Sequence, residues 1–173
     1  MIRLFTALKI PDDVKEELLG LKESIPGAKW VKKNNIHLTL QFIGEISEEK
    51  YHNLKDELED VQMSTFELSL GKIDRFGEKV IYASVDHSVD LMDLQQMVKE
   101  KIESIVSVEK KKFIPHVTLA RLNEVSVHDL AAYLQTNHDY ESREFSVQSF
   151  CLYSSKLTKD GPIYALEGEY ELF

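Results

Sequence analysis

The sequence writes one four-residue pattern twice. His37-Leu38-Thr39-Leu40 sits within "IHLTLQFIG", and His116-Val117-Thr118-Leu119 within "PHVTLARLN", 79 residues further on. In the first stretch Ile36, Leu38, Leu40 and Phe42 alternate with His37, Thr39 and Gln41. In the second, Val117 and Leu119 alternate with His116, Thr118 and Ala120. A period of two is that of a half-buried β-strand, in which residues i and i+2 share a face. Each copy therefore presents an imidazole beside a hydroxyl. This constrains the fold to one with two such strands and a buried side for each.

Further strand patterns, rich in β-branched and aromatic residues, fall at 2–8, 66–73, 79–85, 144–153 and 163–172. Between them lie helical rhythms. Val14, Leu18, Leu21 and Ile25 follow Asp12 and Asp13 as capping candidates. Tyr51, Leu54, Leu58 and Val61 follow a start at Ser47. Leu91, Leu94, Val98, Ile102 and Ile105 make the longest run, and Val127, Leu130, Ala131 and Leu134 a weaker one. "GEK" at 77–79 and "KDGP" at 159–162 read as turns. The order strand, helix, motif strand, helix, strand occurs in both halves. An α+β fold with pseudo-twofold symmetry follows, with the two motif strands expected to face each other across a central cleft. Residues 1–173 are expected to form one domain of two similar lobes, since the length suits one and no flexible linker interrupts it.

Composition narrows the partners. A net charge of −9 opposes an extended grip on a polyanion, which requires a basic stripe. Lys29, Lys32 and Lys33 precede the first motif, and Lys110, Lys111 and Lys112 the second. Singly these read as solvated loop residues; together they permit a positive rim around one phosphate. No apolar run approaches the roughly 20 residues of a membrane helix. The start lacks a small-residue cleavage site, so no signal peptide is expected. The single cysteine, Cys151, cannot form an internal disulfide, and no Cys/His spacing matches a zinc site. A cytoplasmic location, no cofactor, no metal and a monomeric state are the expectations.

The motif residues suit one kind of chemistry. Imidazole, whose ordinary pKa is ~6.5, takes or gives a proton near neutrality. Two of them flanking a substrate can divide the work of general base and general acid. Two threonine hydroxyls can bond the non-bridging oxygens of a phosphate, where transition-state charge gathers. In-line cleavage of a phosphodiester fits this set, above all one strained in a five-membered ring.

At these residues the chain resembles the two-histidine (2H) phosphoesterase superfamily, and within it the RNA 2′,3′-cyclic phosphodiesterases, also described as 2′-5′ RNA ligases. "RLFTALKIP", "PGAKWV", "NNIHLTLQFIGEI", "FIPHVTLARL" and "LYSSKLTKDGPIYALEGEYEL" match that family's layout in order, so the resemblance spans essentially the whole chain. It implies a bilobal α+β fold of two antiparallel sheets forming a central cleft, with helices packed outside and both motifs lining the cleft. It implies metal-independent hydrolysis of a terminal 2′,3′-cyclic phosphate on RNA to a 2′-phosphate, reversible as 2′-5′ ligation. Carried over by position, His37 is the proton donor to the leaving 3′ oxygen, His116 the proton acceptor, and Thr39 and Thr118 the phosphate-binding hydroxyls. Exchange of the two histidine roles stays open. Arg121 falls on the arginine that follows the second motif, a candidate substrate-binding residue. Strict alternation points it away from His116 and Thr118, so it reaches the phosphate only round the strand end or through a bulge.

Two features depart from the family pattern: "DRFGEK" leaves Arg75 as the only arginine near the turn before the middle strand, and "KKKF" replaces an arginine-containing run. The partners implied are RNA ends or small nucleotides bearing a 2′,3′-cyclic phosphate. A 2H phosphodiesterase acting on a small cyclic nucleotide or a 2′-5′ oligonucleotide is the alternative, and a non-catalytic binder of nucleotides or RNA ends another. Phe5, Trp30 and Phe42 read as core, with stacking of an aromatic on a nucleobase in the cleft as the alternative. His52, His87, His128 and His138 lack a threonine two residues on and read as surface residues.

Overall fold

Both motif strands begin at their histidine, and they meet there. The computed structural model describes all of residues 1–173. In order it has strand β1 (Ile2–Lys9), helix α1 (Asp12–Leu19), β2 (Ala28–Trp30), a 3-10 turn (Lys33–Asn35), β3 (His37–Ile46), α2 (Glu48–Glu59), β4 (Phe66–Leu68) and β5 (Leu70–Phe76). There follow β6 (Val80–Val85), α3 (Val89–Glu103), β7 (His116–Leu122), α4 (Val127–Asn137), β8 (Phe145–Val147), β9 (Ser149–Thr158) and β10 (Gly161–Glu171). The class is α+β, with two antiparallel sheets. The larger runs β10-β9-β1-β3-β7-β6-β5, with β2 also on β7; the smaller is β4-β8.

The repeated order maps β1-α1-β3-α2-β4 onto β6-α3-β7-α4-β8. The halves touch through equivalent strands, β3 with β7 and β4 with β8. Each half then lends its next strand to the other. β5, which follows β4, pairs with β6, and β9, which follows β8, pairs with β1. The larger sheet thus has two wings, β10-β9-β1-β3 and β7-β6-β5, and the cleft lies where they join.

Only one residue pair, Leu38 with Val117, registers β3 against β7. Across the junction a row of side chains faces the core: Leu8, Leu38, Val117 and Ala83 are cross-strand neighbours and none is more than 1% exposed. The helices cover this face. Ser47, Ser88 and Ser126 cap α2, α3 and α4, each accepting a hydrogen bond from the backbone N–H three residues on. Leu91, Leu94, Val98 and Ile102 of α3 are fully buried, and α3 packs on β3 and α2. The α1 pattern ends early, at Leu19. Gly20 follows, and Pro26 holds Ile25 out of helical geometry, so the apolar spacing at Leu21 and Ile25 is not a continuation of the helix.

Turn chemistry closes the hairpins as expected. Gly77, at φ +53°, lies between β5 and β6, and Gly161, at φ +111°, opens β10 after the two-residue loop Lys159–Asp160. Because the junction rests on few backbone contacts, its side chains carry it. Leu38→Ala is expected to cost roughly 2–5 kcal/mol in urea unfolding. A loss within the ~0.5 kcal/mol typical of surface changes would place the residue outside the core.

Candidate active site

With Leu38 and Val117 turned into the core, their neighbours on both strands face the other way. Antiparallel pairing brings His37 toward Thr118 and Thr39 toward His116. Diagonal neighbours in such a pair sit roughly 7–8 Å apart, somewhat less at Cβ, the scale of a gap that one phosphate fills. One cavity of about 240 Å³ is lined by His37, Thr39, His116, Thr118 and Arg121 together. All five residues singled out from sequence therefore share a chamber.

The two histidines are held alike. His37 Nδ1–H donates to the Asn35 carbonyl at 2.6 Å, and His116 Nδ1–H to the Ile114 carbonyl at 2.8 Å. A carbonyl can only accept, so each neutral ring carries its proton on Nδ1 and leaves Nε2 as a lone pair toward the cleft. Thr39 donates to His37 Nε2 at 2.9 Å; His116 Nε2 has no protein partner. Aromatic rings wall both. Phe5 and Tyr164 lie 5.0 and 5.3 Å from His37, and Phe76 and Tyr82, stacked on each other, lie 4.9 and 5.6 Å from His116.

The leucine that ends each motif has its own task. Opposite β1, β3 carries an extra residue at Leu40, and opposite β6, β7 carries one at Leu119. These are the same place in the repeat. Such a bulge shifts the alternation by one residue. It brings Arg121 onto the face of His116 and Thr118, which strict alternation had denied it, and Arg121 lines the chamber. Its counterpart Phe42 swings out likewise: it is 64% exposed and lines the same chamber, while Ile43 takes the buried position. The core reading of Phe42 is thus corrected by the bulge. Phe5 is buried, but among the site's aromatic rings; Trp30 is half-buried and forms part of the chamber wall.

Other parts of the wall were not legible in the sequence. β2 and β3 both run antiparallel to β7 along the same side of it, but between Trp30–Ala120 and Leu38–Val117 the β2–β3 side holds five extra residues. This excursion brings Lys32 and Asn35 to the chamber, with Lys29 and Val31 from its approach. Asn35 Nδ2 donates to the Pro162 carbonyl at 2.9 Å, tying the excursion to the β9–β10 hairpin tip, where Asp160, Gly161, Pro162 and Tyr164 close one side. "KDGP" marked the turn, but nothing local said where it would fold. Of the lysines before the motifs, Lys33 instead pairs with Glu16 at 2.6 Å, and Lys110, Lys111 and Lys112 do not reach this chamber. His52, His87, His128 and His138 are exposed, as expected.

Burial pushes the His37 imidazole down to about 4, opposed by its bond to Asn35 and reinforced by Arg121, His116 and Lys15. Desolvation thus holds His37 neutral. Burial penalises charge of either sign; the nearby Arg121 and Lys15 are what favour an anion here, and a bound anion favours the protonated ring by direct attraction. Burial also raises Tyr164, which stays a neutral phenol.

Residues 10–159 match the family described as the 2′-5′ RNA ligase superfamily. The chain is 30% identical to the RNA 2′,3′-cyclic phosphodiesterase of Methanocaldococcus jannaschii, over 98% of this chain and 100% of that one. It is 30% identical to the protein so named from Archaeoglobus fulgidus, over 94% and 96%. Among solved structures it is similar to E. coli LigT complexed with 3′-AMP, at TM-score 0.84 and 23% identity, over 99% of this chain and 98% of that one. A second, a crystal structure of a phosphoesterase, gives 0.83 and 22% over 99% of both. These two likenesses concern the fold.

The lowered His37 value has a measurable sign. The unfolded chain takes up a proton near 6.5 that the folded chain refuses until about 4. Stability from this group is therefore fully present above 6.5 and lost as pH falls through that window. A histidine NMR titration should place the His37 midpoint near 4 in the free protein and move it upward in saturating phosphate. A midpoint at the ordinary value, unmoved by phosphate, would contradict the desolvated site.

Proposed function

The chain belongs to the 2′-5′ RNA ligase superfamily, and from that premise we propose that it is an RNA 2′,3′-cyclic phosphodiesterase, opening a terminal cyclic phosphate to a 2′-phosphate. The observation that carries the reading is the pair of imidazoles, each fixed through Nδ1 to the carbonyl two residues before it and each facing one chamber with a threonine beside it.

In this mechanism the cyclic phosphate lies between the two motifs. Thr39 and Thr118 donate to its non-bridging oxygens, and Arg121 adds a fixed positive charge. The Thr39 hydroxyl turns from His37 Nε2 to the phosphate as that ring becomes protonated. His116, whose Nε2 is unengaged, takes the proton of an attacking water. His37, protonated once the anion is in place, gives its proton to the departing 3′ oxygen. The pair ends the cycle with its protons exchanged, and solvent resets it. The steps use imidazole, hydroxyl and guanidinium groups, and no step is routed through a metal.

The same displacement with a 5′-hydroxyl in place of water yields a 2′-5′ bond, and its reverse cleaves one. The small size of the chamber and the net charge of −9 favour an RNA end over a long helical stretch of RNA. Lys29, Lys32 and Arg121 supply local positive charge where the overall field is negative. A mononucleotide or a 2′-5′ oligonucleotide fits the same chamber, and comparison of kcat/KM between those and an RNA end ranks the substrates.

The test is hydrolysis of an oligonucleotide 2′,3′-cyclic phosphate in excess chelator, with the product phosphate located by NMR. Turnover should persist and give the 2′-phosphate. His37→Ala and His116→Ala should each lower the rate by ~10²–10⁴-fold. Near-normal turnover in either variant, or complete loss on chelation, would overturn these roles. The assignment of acid and base predicts more: a substrate whose 3′ leaving group needs no proton should rescue His37→Ala and not His116→Ala.

A further inference from the structure

Beside the chamber over the histidines lies a second cavity, of about 470 Å³ against about 240 Å³. The two share Thr39, Phe42 and His116. His37, Thr118 and Arg121 belong to the first alone. The His116 ring therefore stands between them, with Nδ1 held by Ile114 and Nε2 free. Anything seated in the second cavity meets the base and one phosphate-binding hydroxyl, on the side from which a nucleophile must come.

Water requires no chamber of this size. The walls include the rings of Phe42, Phe76 and Phe113, the amides of Gln41 and Gln95, and Lys112. Aromatic faces with adjacent amides and a cation are the equipment for a nucleobase and its phosphate. Lys111, also in this wall, is paired with Glu109 at 3.2 Å, which leaves Lys112 without an ion-pair partner.

Resting on the cyclic-phosphate reading above, we propose that this second cavity is an acceptor subsite for the nucleoside at a 5′-hydroxyl RNA end. Its base packs on Phe76 and Phe113, its 3′-side phosphate meets Lys112, and its 5′-hydroxyl points at His116. The hydroxyl oxygen bonds to phosphorus as the bond from phosphorus to the 3′ oxygen breaks. The hydroxyl proton passes to His116, and the 3′ oxygen receives one from protonated His37. Atoms and charge balance without a further reactant. In the other direction the same subsite holds the leaving nucleoside of a 2′-5′ bond.

Two reactions of the full-length protein in chelator separate this from simple hydrolysis. One is opening of adenosine 2′,3′-cyclic phosphate. The other is joining of a cyclic-phosphate-ended RNA to a 5′-hydroxyl oligonucleotide, with cleavage of a 2′-5′ dinucleotide as its reverse. Phe113→Ala and Lys112→Glu should lower joining and dinucleotide cleavage by ~10-fold or more, with a raised KM for the 5′-hydroxyl strand. Opening of the mononucleotide should stay within about twofold. Phe113 also packs against the core, so circular dichroism checks its fold, and the exposed Lys112 supplies a variant free of that concern.

Equal loss in both reactions, or no loss in either, overturns the subsite. So does loss confined to hydrolysis of longer cyclic-phosphate RNA, which would give the cavity to the upstream nucleotide. A wild type that hydrolyses but neither joins nor cleaves overturns the subsite and leaves the hydrolytic reading standing. A wild type inert to all three substrates overturns both.

Discussion

The pairing of Leu38 with Val117 is the contact on which the site depends. It is the single registered pair between the wings, and both side chains are fully buried. Because they point inward, the two histidines and two threonines must point outward, and because the strands are antiparallel, each histidine comes toward the other strand's threonine. A slip of one residue in either strand would turn that strand's histidine into the core. Burying an apolar row beneath the junction and assembling a polar cluster above it are one structural event.

The doubled motif is best understood as a unit of backbone geometry as well as of side chains. The histidine is tied to the carbonyl two residues before it, which fixes its tautomer. The apolar residue anchors the strand, the threonine faces the cleft, and the leucine sits at the bulge. That bulge puts an arginine at the site in one half and a phenylalanine in the other, at equivalent positions. A symmetric frame thus yields an asymmetric chamber. The asymmetry extends to the imidazoles: His37 is desolvated and held neutral, while His116 borders both cavities.

Much of this was written in local patterns. Period-two alternation located the motif strands, the spacing of Leu91, Leu94, Val98 and Ile102 located α3, and Ser47 marked the start of α2. What depends on distant pairing was not legible. Alternation read along one strand cannot show an extra residue opposite its neighbour, so whether a bulge brings Arg121 to the site stayed open, and Phe42 read as core. β2 has three residues, too few to carry a pattern. The lending of β5 and β9 between halves, and the fold of the hairpin tip over Asn35, follow from packing among elements far apart in the chain.

The central claim is that both imidazoles serve one phosphorus. A crystal structure of the protein bound to a slowly cleaved nucleoside 2′,3′-cyclic phosphorothioate measures this directly. Both Nε2 atoms should lie within hydrogen-bond reach, about 3.2 Å, of the 3′ oxygen or the incoming water, with both threonine hydroxyls on non-bridging positions. A phosphorus contacted by one histidine alone, or seated outside the junction of β3 and β7, would contradict it.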